Sequence, residues 1–335
     1  MKKKSLIIIE TRDDAIGIFN NLLEKNLNKK KIDIKKFKFL KNKFVKTIQE
    51  FFVIPYLMFK LNKYNKILLT DSKPMKAFFS SLLKKEKYVF VHHVGKEPLY
   101  YKFTTGNYFN CVNRFDKIIA ISENTKKELI ENGINPKKIK IIYNGVDLKE
   151  FKPIKKQFNF KYVMYVGSEI KRKNLKNSLS AFKILLQKYP NLKFVKIGTP
   201  GSEKNRKETM KIIKELNIEN NVVFTGRIST KELVEYYSNA ELMFFPTLKE
   251  GFGYPLVEAM SCKCPIVTSD IAPHNEIVIT KEYLANPNNP KEIAKKAEKL
   301  INNKQNTNKL VELNKKRSNL YNLENQIKQI EEILK

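Results

Sequence analysis

Lys249-Glu250-Gly251-Phe252-Gly253-Tyr254-Pro255-Leu256-Val257-Glu258-Ala259-Met260 sets two carboxylates on either side of a glycine turn and the start of a helix. Ahead of it, Glu241 to Phe245 reads as a short buried strand ended by Pro246, and Pro255 stands where a first helical residue would. The turn therefore occupies a strand-to-helix corner. Such corners in open α/β sheets aim free backbone N–H groups and the positive end of a helix dipole at anionic ligands, and glycine lets the ligand come close. The spacing puts Glu250 on the loop and Glu258 inside the first helical turn.

Outward from this corner, short β-branched or aromatic runs alternate with longer amphipathic stretches. Leu6–Ile9, Lys66–Leu69, Tyr88–Val91, Lys117–Ala120 and Ile139–Ile142 form one series. Tyr162–Val166, Phe194–Ile197, Val222–Phe224, Leu242–Phe245 and Pro265–Thr268 form a second. This is the pattern of parallel βα units, so the expected fold class is α/β with two Rossmann-like domains. A length of 335 residues also exceeds what one core usually holds. Tyr143-Asn144-Gly145-Val146-Asp147 is a turn signal, and the charged, Pro-containing Leu148 to Phe160 reads as the linker. The expected domains are residues 1–150 and 151–305, followed by a helical segment over 306–335. In that segment Leu310, Leu313, Leu320, Leu323, Ile327, Ile330 and Leu334 share an apolar face.

Glu-x7-Glu around Gly-Phe-Gly, then Glu-Ala-Met and the strand Cys262-Lys263-Cys264-Pro265-Ile266-Val267, resembles the donor-site signature of glycosyltransferase family 4. The resemblance covers residues 120–285 well and the rest loosely. It implies the GT-B fold, with two domains facing across a cleft and a closing helix that returns to the N-terminal domain. The implied activity is retaining transfer of a hexose from a UDP- or GDP-sugar, without metal or other cofactor, to a hydroxyl acceptor. A weak lean toward mannosyl-type relatives comes from Arg172-Lys173-Asn174 and Gly-Phe-Gly-Tyr-Pro.

The resemblance also assigns residues. In Val166-Gly167-Ser168-Glu169-Ile170-Lys171-Arg172-Lys173-Asn174, Gly167 and Lys173 match the family's diphosphate loop. Ser168 stands where an Arg is common, and Arg172 is the neighbour that could supply the missing guanidinium. Taken alone, Lys171 to Lys173 would be a solvated charge run in a Lys-rich chain; their place between strand and helix favours the functional reading. Gly226 and Arg227 resemble the loop beside the nucleotide base. Glu258 would accept hydrogen bonds from the ribose, and Glu250, with Gly251, Phe252 and Gly253, would hold the transferred sugar. Either His92 or His93, directly after a strand, could reach that sugar; a ring bonded to a nearby carbonyl is the equal alternative. Glu276 matches a family position better than His274, which reads as an exposed loop residue. Lys263 replaces a helix-ending Gly, and Ser122 reads as a helix cap.

Composition narrows the alternatives. The longest apolar run, Phe51 to Phe59, is broken by Pro55 and too short to span a bilayer, and the N-terminal apolar run is too short for a signal sequence. A cytoplasmic chain is expected. Cys111, Cys262 and Cys264 suit small core hydrophobes, not a disulfide framework or a zinc site. The net charge of +31 is spread along the chain, and only six of the 65 basic residues are Arg, so no nucleic-acid partner is expected. Peripheral contact with an anionic membrane face is. Two other classes stay open: a nucleotide-sugar-binding paralogue without turnover, which the Ser168 departure permits, and a nucleic-acid binder resting on charge alone.

Overall fold

The apolar runs become the strands of two all-parallel sheets. The computed structural model describes residues 5–10, 15–27, 32–37, 64–72, 84–92 and 108–335. The chain divides into two units, Met1–Gly145 with Leu323–Lys335, and Val146–Asn322.

The first unit holds β1 (Ser5–Glu10), β2 (Ile32–Phe37), β3 (Lys66–Leu69), β4 (Glu86–Val91), β5 (Lys117–Ala120) and β6 (Ile139–Ile141), in the order β2-β1-β3-β4-β5-β6. Its described helices include α1 (Ala15–Asn26), α2 (Tyr108–Asn113) and α3 (Glu123–Glu131). Strands buried on both faces need unbroken apolar runs, and Leu6, Ile67, Val89, Val91 and Ile118 supply them. Val112 and Phe115 pack on the same core. As expected, Ser122 caps α3, its hydroxyl accepting from the Thr125 amide at 2.9 Å.

The second unit holds β7 (Tyr162–Val166), β8 (Lys193–Ile197), β9 (Val222–Gly226), β10 (Leu242–Phe245), β11 (Ile266–Ser269) and β12 (Leu284–Ala285), in the order β12-β11-β10-β7-β8-β9. Its helices are α4 (Leu175–Leu186), α5 (Glu203–Glu215), α6 (Thr230–Asn239), α7 (Tyr254–Ser261), α8 (His274–Ile277), α9 (Pro290–Asn302) and α10 (Lys304–Ser318). After β7 the chain moves outward through β8 and β9, then returns to pair β10 on the other side of β7. That reversal is a topological switch point, where the loops leaving two adjacent strands diverge and open a crevice at their carboxyl ends.

α11 (Leu323–Leu334) returns to the first unit. The Ser5 hydroxyl donates to the Leu334 carbonyl at 2.8 Å, and the Gly145 amide donates to Gln326 Oε1 at 3.0 Å. The segment expected as one helical element over 306–335 is therefore divided: a single turn at Asn319–Tyr321 breaks it, and α10 stays with the second unit. The units divide at Gly145/Val146, ahead of the expected linker. Leu148 to Phe160 belongs to the second unit, where Phe151 is buried and its carbonyl accepts from the Ser261 hydroxyl. β2 and β12 had no counterpart in the expected strands. All three cysteines are free and buried. Lys263 lies in the left-handed region at φ 60°, which costs on the order of 1 kcal/mol where Gly would not.

A Cβ on Gly145 would lie 2.5 Å from Leu323 Cα, a backbone contact that cannot swing aside. Gly145→Ala is expected to destabilise the first unit by about 1–3 kcal/mol, as overpacking does. Urea unfolding would measure the loss, and hydrogen exchange would localise it to residues 323–334.

Candidate functional site

The two loops that diverge at the switch point carry the charged residues. Gly167 follows β7 at φ 147°, and its amide donates to the Ile197 carbonyl at 3.0 Å, extending the sheet by one residue. A single tight turn, Lys171–Lys173, then leads to Asn174 at φ 57°, which closes the turn and opens α4. Asn174 does not cap the helix with its side chain. It donates instead to the carbonyls of Pro246 (2.8 Å) and Pro287 (2.7 Å). The Tyr165 hydroxyl donates to the Lys173 carbonyl at 3.0 Å, and the Leu248 amide donates to the Arg172 carbonyl at 2.8 Å. The loop after β7 is thus laced to the loop after β10.

Across this lacing the Lys173 ammonium donates to Glu250 Oε2, and Arg172 Nη1 lies 3.4 Å from the same oxygen. The Lys173 and Glu250 side chains are only 13% and 10% exposed, whereas that of Arg172 is 49% exposed. The Lys173 ammonium also lies 5.0 Å from the Phe245 ring centre, a cation–π contact. Burial holds the Lys173 amine below its ordinary range, with Glu250 pulling the other way. Burial acts to raise the Glu250 carboxyl, but Lys173 foremost, then Arg172 and the Gly251 amide, keep it below the usual carboxylate range. The pair is ionised and carries an excess positive charge from Arg172. Both α4 and α7 start without a side-chain cap, α7 from Gly253 at φ 108°, so their first N–H groups add to a field suited to an anion.

Glu258 falls in the second turn of α7, because the helix starts at Tyr254. It accepts a hydrogen bond from the Tyr237 hydroxyl at 2.9 Å. Burial pushes its carboxyl up to about 7, with Tyr237 opposing the rise. His274 is fully buried, contrary to its expected place on an exposed loop. It opens α8 and packs on Phe245 at 5.3 Å between ring centres. The Thr268 hydroxyl donates to the Phe245 carbonyl at 2.9 Å, so it accepts from His274 Nδ1–H at 2.9 Å. Burial holds His274 neutral, its pKa lowered to about 4.

Not every expected residue joins this centre. Phe252 is buried against Tyr254 and Tyr321, leaving its backbone and not its ring for a ligand. Gly251 is exposed, and its amide donates to Glu250 Oε1 at 3.3 Å. Gly226 ends β9 at φ 69° with open space around its Cα, and its carbonyl accepts from the Gly198 amide at 2.7 Å. Arg227 beside it is exposed, and Ser168 is half-buried. His92, in the first unit, is buried beside Phe19 and Phe90, and its Nε2–H donates to the Thr70 carbonyl at 2.9 Å. That is the carbonyl-bonded alternative for this ring; His93 lies outside the described residues. Tyr237 and Tyr165, which hold Glu258 and the Lys173 turn, had no sequence signal, being aromatic residues on a helix face and in a strand.

Two parallel doubly wound units, one with cations, carboxylates and open helix ends at its switch point, define the GT-B class. Crystal structures of Anabaena Alr3699/HepE share this fold: the complex with UDP has a TM-score of 0.83 at 18% identity, covering 100% of this chain and 99% of that one. Sucrose-phosphate synthase from Thermosynechococcus elongatus has a TM-score of 0.78 at 16% identity, covering 98% of both chains. Residues 147–317 match the family described as glycosyl transferases group 1, and residues 63–150 match glycosyltransferase family 4. The first match spans just over half of the chain, and the chain belongs to the glycosyl transferases group 1 family. The O-antigen chain mannosyltransferase RfbU of Salmonella typhimurium is 27% identical over 217 residues, 62% of this chain and 59% of the relative. The capsular polysaccharide biosynthesis glycosyltransferase CapM of Staphylococcus aureus is 29% identical over 201 residues, 55% of this chain and 52% of the relative. The chain thus spans between half and three-fifths of the length of these curated relatives.

A Glu258 that binds its proton more tightly folded than unfolded contributes stability below pH 4.5 and loses it as pH rises to about 7. Above pH 7 the cost is on the order of 3 kcal/mol. Glu258→Gln is therefore expected to be more stable than wild type at pH 8 and to lose that advantage toward pH 5, read by urea unfolding at each pH.

Proposed function

We propose that this chain is a retaining, metal-independent glycosyltransferase that moves a hexose from a UDP- or GDP-sugar to a hydroxyl of a glycan, lipid or small-molecule acceptor. The observation that carries this reading is the ionised Lys173–Glu250 pair joining the two switch-point loops, with Arg172 beside it. Lys173 and Arg172 meet the donor diphosphate. Breaking the sugar–phosphate bond builds negative charge on the leaving oxygen, and fixed cations and N–H donors that meet this charge lower the barrier. An ammonium has three donors, so Lys173 can hold Glu250 and a phosphate oxygen together. Glu250 and the backbone of Gly251, Phe252 and Gly253 position the sugar's hydroxyls. Ionised Glu258 accepts from the ribose, and Gly226 lets the backbone approach the base. In front-face displacement the leaving phosphate takes the acceptor's proton, so Glu250 positions and does not form a covalent bond.

The neighbours support this reading: HepE crystals contain UDP, UDP-glucose, or UDP and glucose, and the relatives' names speak of O-antigen and capsular polysaccharide. A role in cell-envelope glycan synthesis, at the cytoplasmic face of a membrane, fits them. Among the described residues no helix is long and apolar enough to cross a membrane. With a net charge of +31, electrostatic attachment to anionic lipid would add about 1 kcal/mol per Lys near the surface.

A calorimetric screen of UDP-, GDP- and ADP-sugars against wild type and Lys173→Ala tests the donor site. Wild type is expected to bind one of the first two, and the variant to bind it about 10- to 100-fold more weakly, the worth of a charge-assisted bond. Binding of none would sink the proposal. In acceptor trials, equal turnover by Glu250→Gln and wild type would remove Glu250 from the mechanism. Because the ribose takes the ionised form of a Glu258 that titrates at about 7, affinity is expected to be about tenfold weaker at pH 6 than at pH 8. A flat profile would dissociate Glu258 from the nucleotide.

A further inference from the structure

Behind the basic loop lies a second charged cluster that the donor reading does not use. Lys196, one residue before the end of β8, is 0% exposed. Its ammonium lies 3.0 Å from Glu169 Oε1 and donates to the carbonyls of Gly198 (2.7 Å) and Thr199 (3.1 Å). The Glu169 side chain is also 0% exposed, and Arg206 Nη2 lies 2.7 Å from the same Oε1. The Arg206 guanidinium stacks 3.9 Å above the Phe224 ring. Burial depresses the Lys196 amine, with Glu169 opposing.

The cluster joins two loops. Glu169 sits in the loop that carries Arg172 and Lys173, and its amide donates to the Pro200 carbonyl at 3.3 Å. Gly198 to Pro200 form the loop after β8, which Lys196 gathers by two of its carbonyls. Such a cluster is a poor source of stability, since desolvating two charges offsets most of their attraction. Glu169 Oε2 moreover has no hydrogen-bond donor in the structure. What the cluster supplies is a fixed position: contacts from Lys196 of β8, Arg206 of α5 and the Pro200 carbonyl hold residue 169, four residues before Lys173.

We propose that Lys196, through Glu169 and with Arg206, is a positioning residue that holds the loop of residues 167–173 in the geometry that receives the donor diphosphate. The proposal rests on the donor-site reading above. Lys196 does not touch the ligand. It acts by keeping Arg172 and Lys173 in place before the ligand arrives, so that no binding energy is lost in ordering them.

The test replaces the buried charges with apolar groups of similar size in the full chain, as Lys196→Met, Glu169→Leu and the double variant. Glu169→Leu leaves the buried Lys196 without its counter-charge and could fail to fold, whereas Lys196→Met leaves Glu169 facing Arg206 alone; the double variant removes both buried charges and is expected to melt at or above the wild-type temperature. Calorimetry then compares UDP, GDP and the bare nucleosides uridine and guanosine. The expected result is a double variant that binds the nucleoside as wild type does and the diphosphate at least tenfold more weakly, with faster hydrogen exchange at residues 169–173. Unchanged diphosphate affinity, or equal loss of nucleoside and diphosphate, would overturn the positioning role alone. Failure of wild type to bind either diphosphate would overturn the donor reading, and this role with it.

Discussion

The contact on which the second unit's site depends is the ionised pair between Lys173 and Glu250. Each charge would be costly to bury alone, and each is tolerable because the other stands opposite. Their meeting requires that the loops after β7 and β10 be neighbours, and only a sheet whose strand order reverses between those strands makes them so. Asn174 and the Leu248 amide then tie the two loops together, and the Tyr165 hydroxyl holds the first of them to its own strand.

Around that pair the charges are graded by burial. Arg172 is half-exposed and free to follow a ligand, while Lys173 is held between a carboxylate and an aromatic face. Glu258, paired with the neutral Tyr237 hydroxyl and no cation in contact, has its pKa pushed into the physiological range. Two carboxylates eight residues apart thus shift in opposite directions, because burial raises both but only Glu250 has an ammonium in contact to outweigh it. His274, neutral and fully buried, packs on Phe245, the ring that the Lys173 ammonium faces.

Much of the architecture was legible from apolar periodicity. All ten strands expected from β-branched runs form, because a parallel strand buried on both faces needs an unbroken apolar run and leaves that mark. β2, with its alternating Ile-Asp-Ile-Lys, and the two-residue β12 left weaker marks and were not anticipated. The helix over 306–335 looked continuous because periodicity survives a single tight turn; which unit each half joins depends on docking, such as the close approach of Gly145 to Leu323. His274 read as a loop residue because a polar side chain after a proline gives no sign that Thr268 waits beneath it.

By itself, the sequence determined the class of fold, the strand-to-helix corner and the residue types that gather there, since these rest on local periodicity, glycine and proline chemistry and fixed spacing. Tertiary structure alone decided which charges meet. Lys173 and Glu250 are 77 positions apart, and Glu169, on a loop, meets Lys196 of β8 and Arg206 of α5. In a chain with 65 basic residues a buried lysine is written no differently from a solvated one. Desolvation, which depends on everything packed around a group and on nothing in its neighbouring letters, is what separates them.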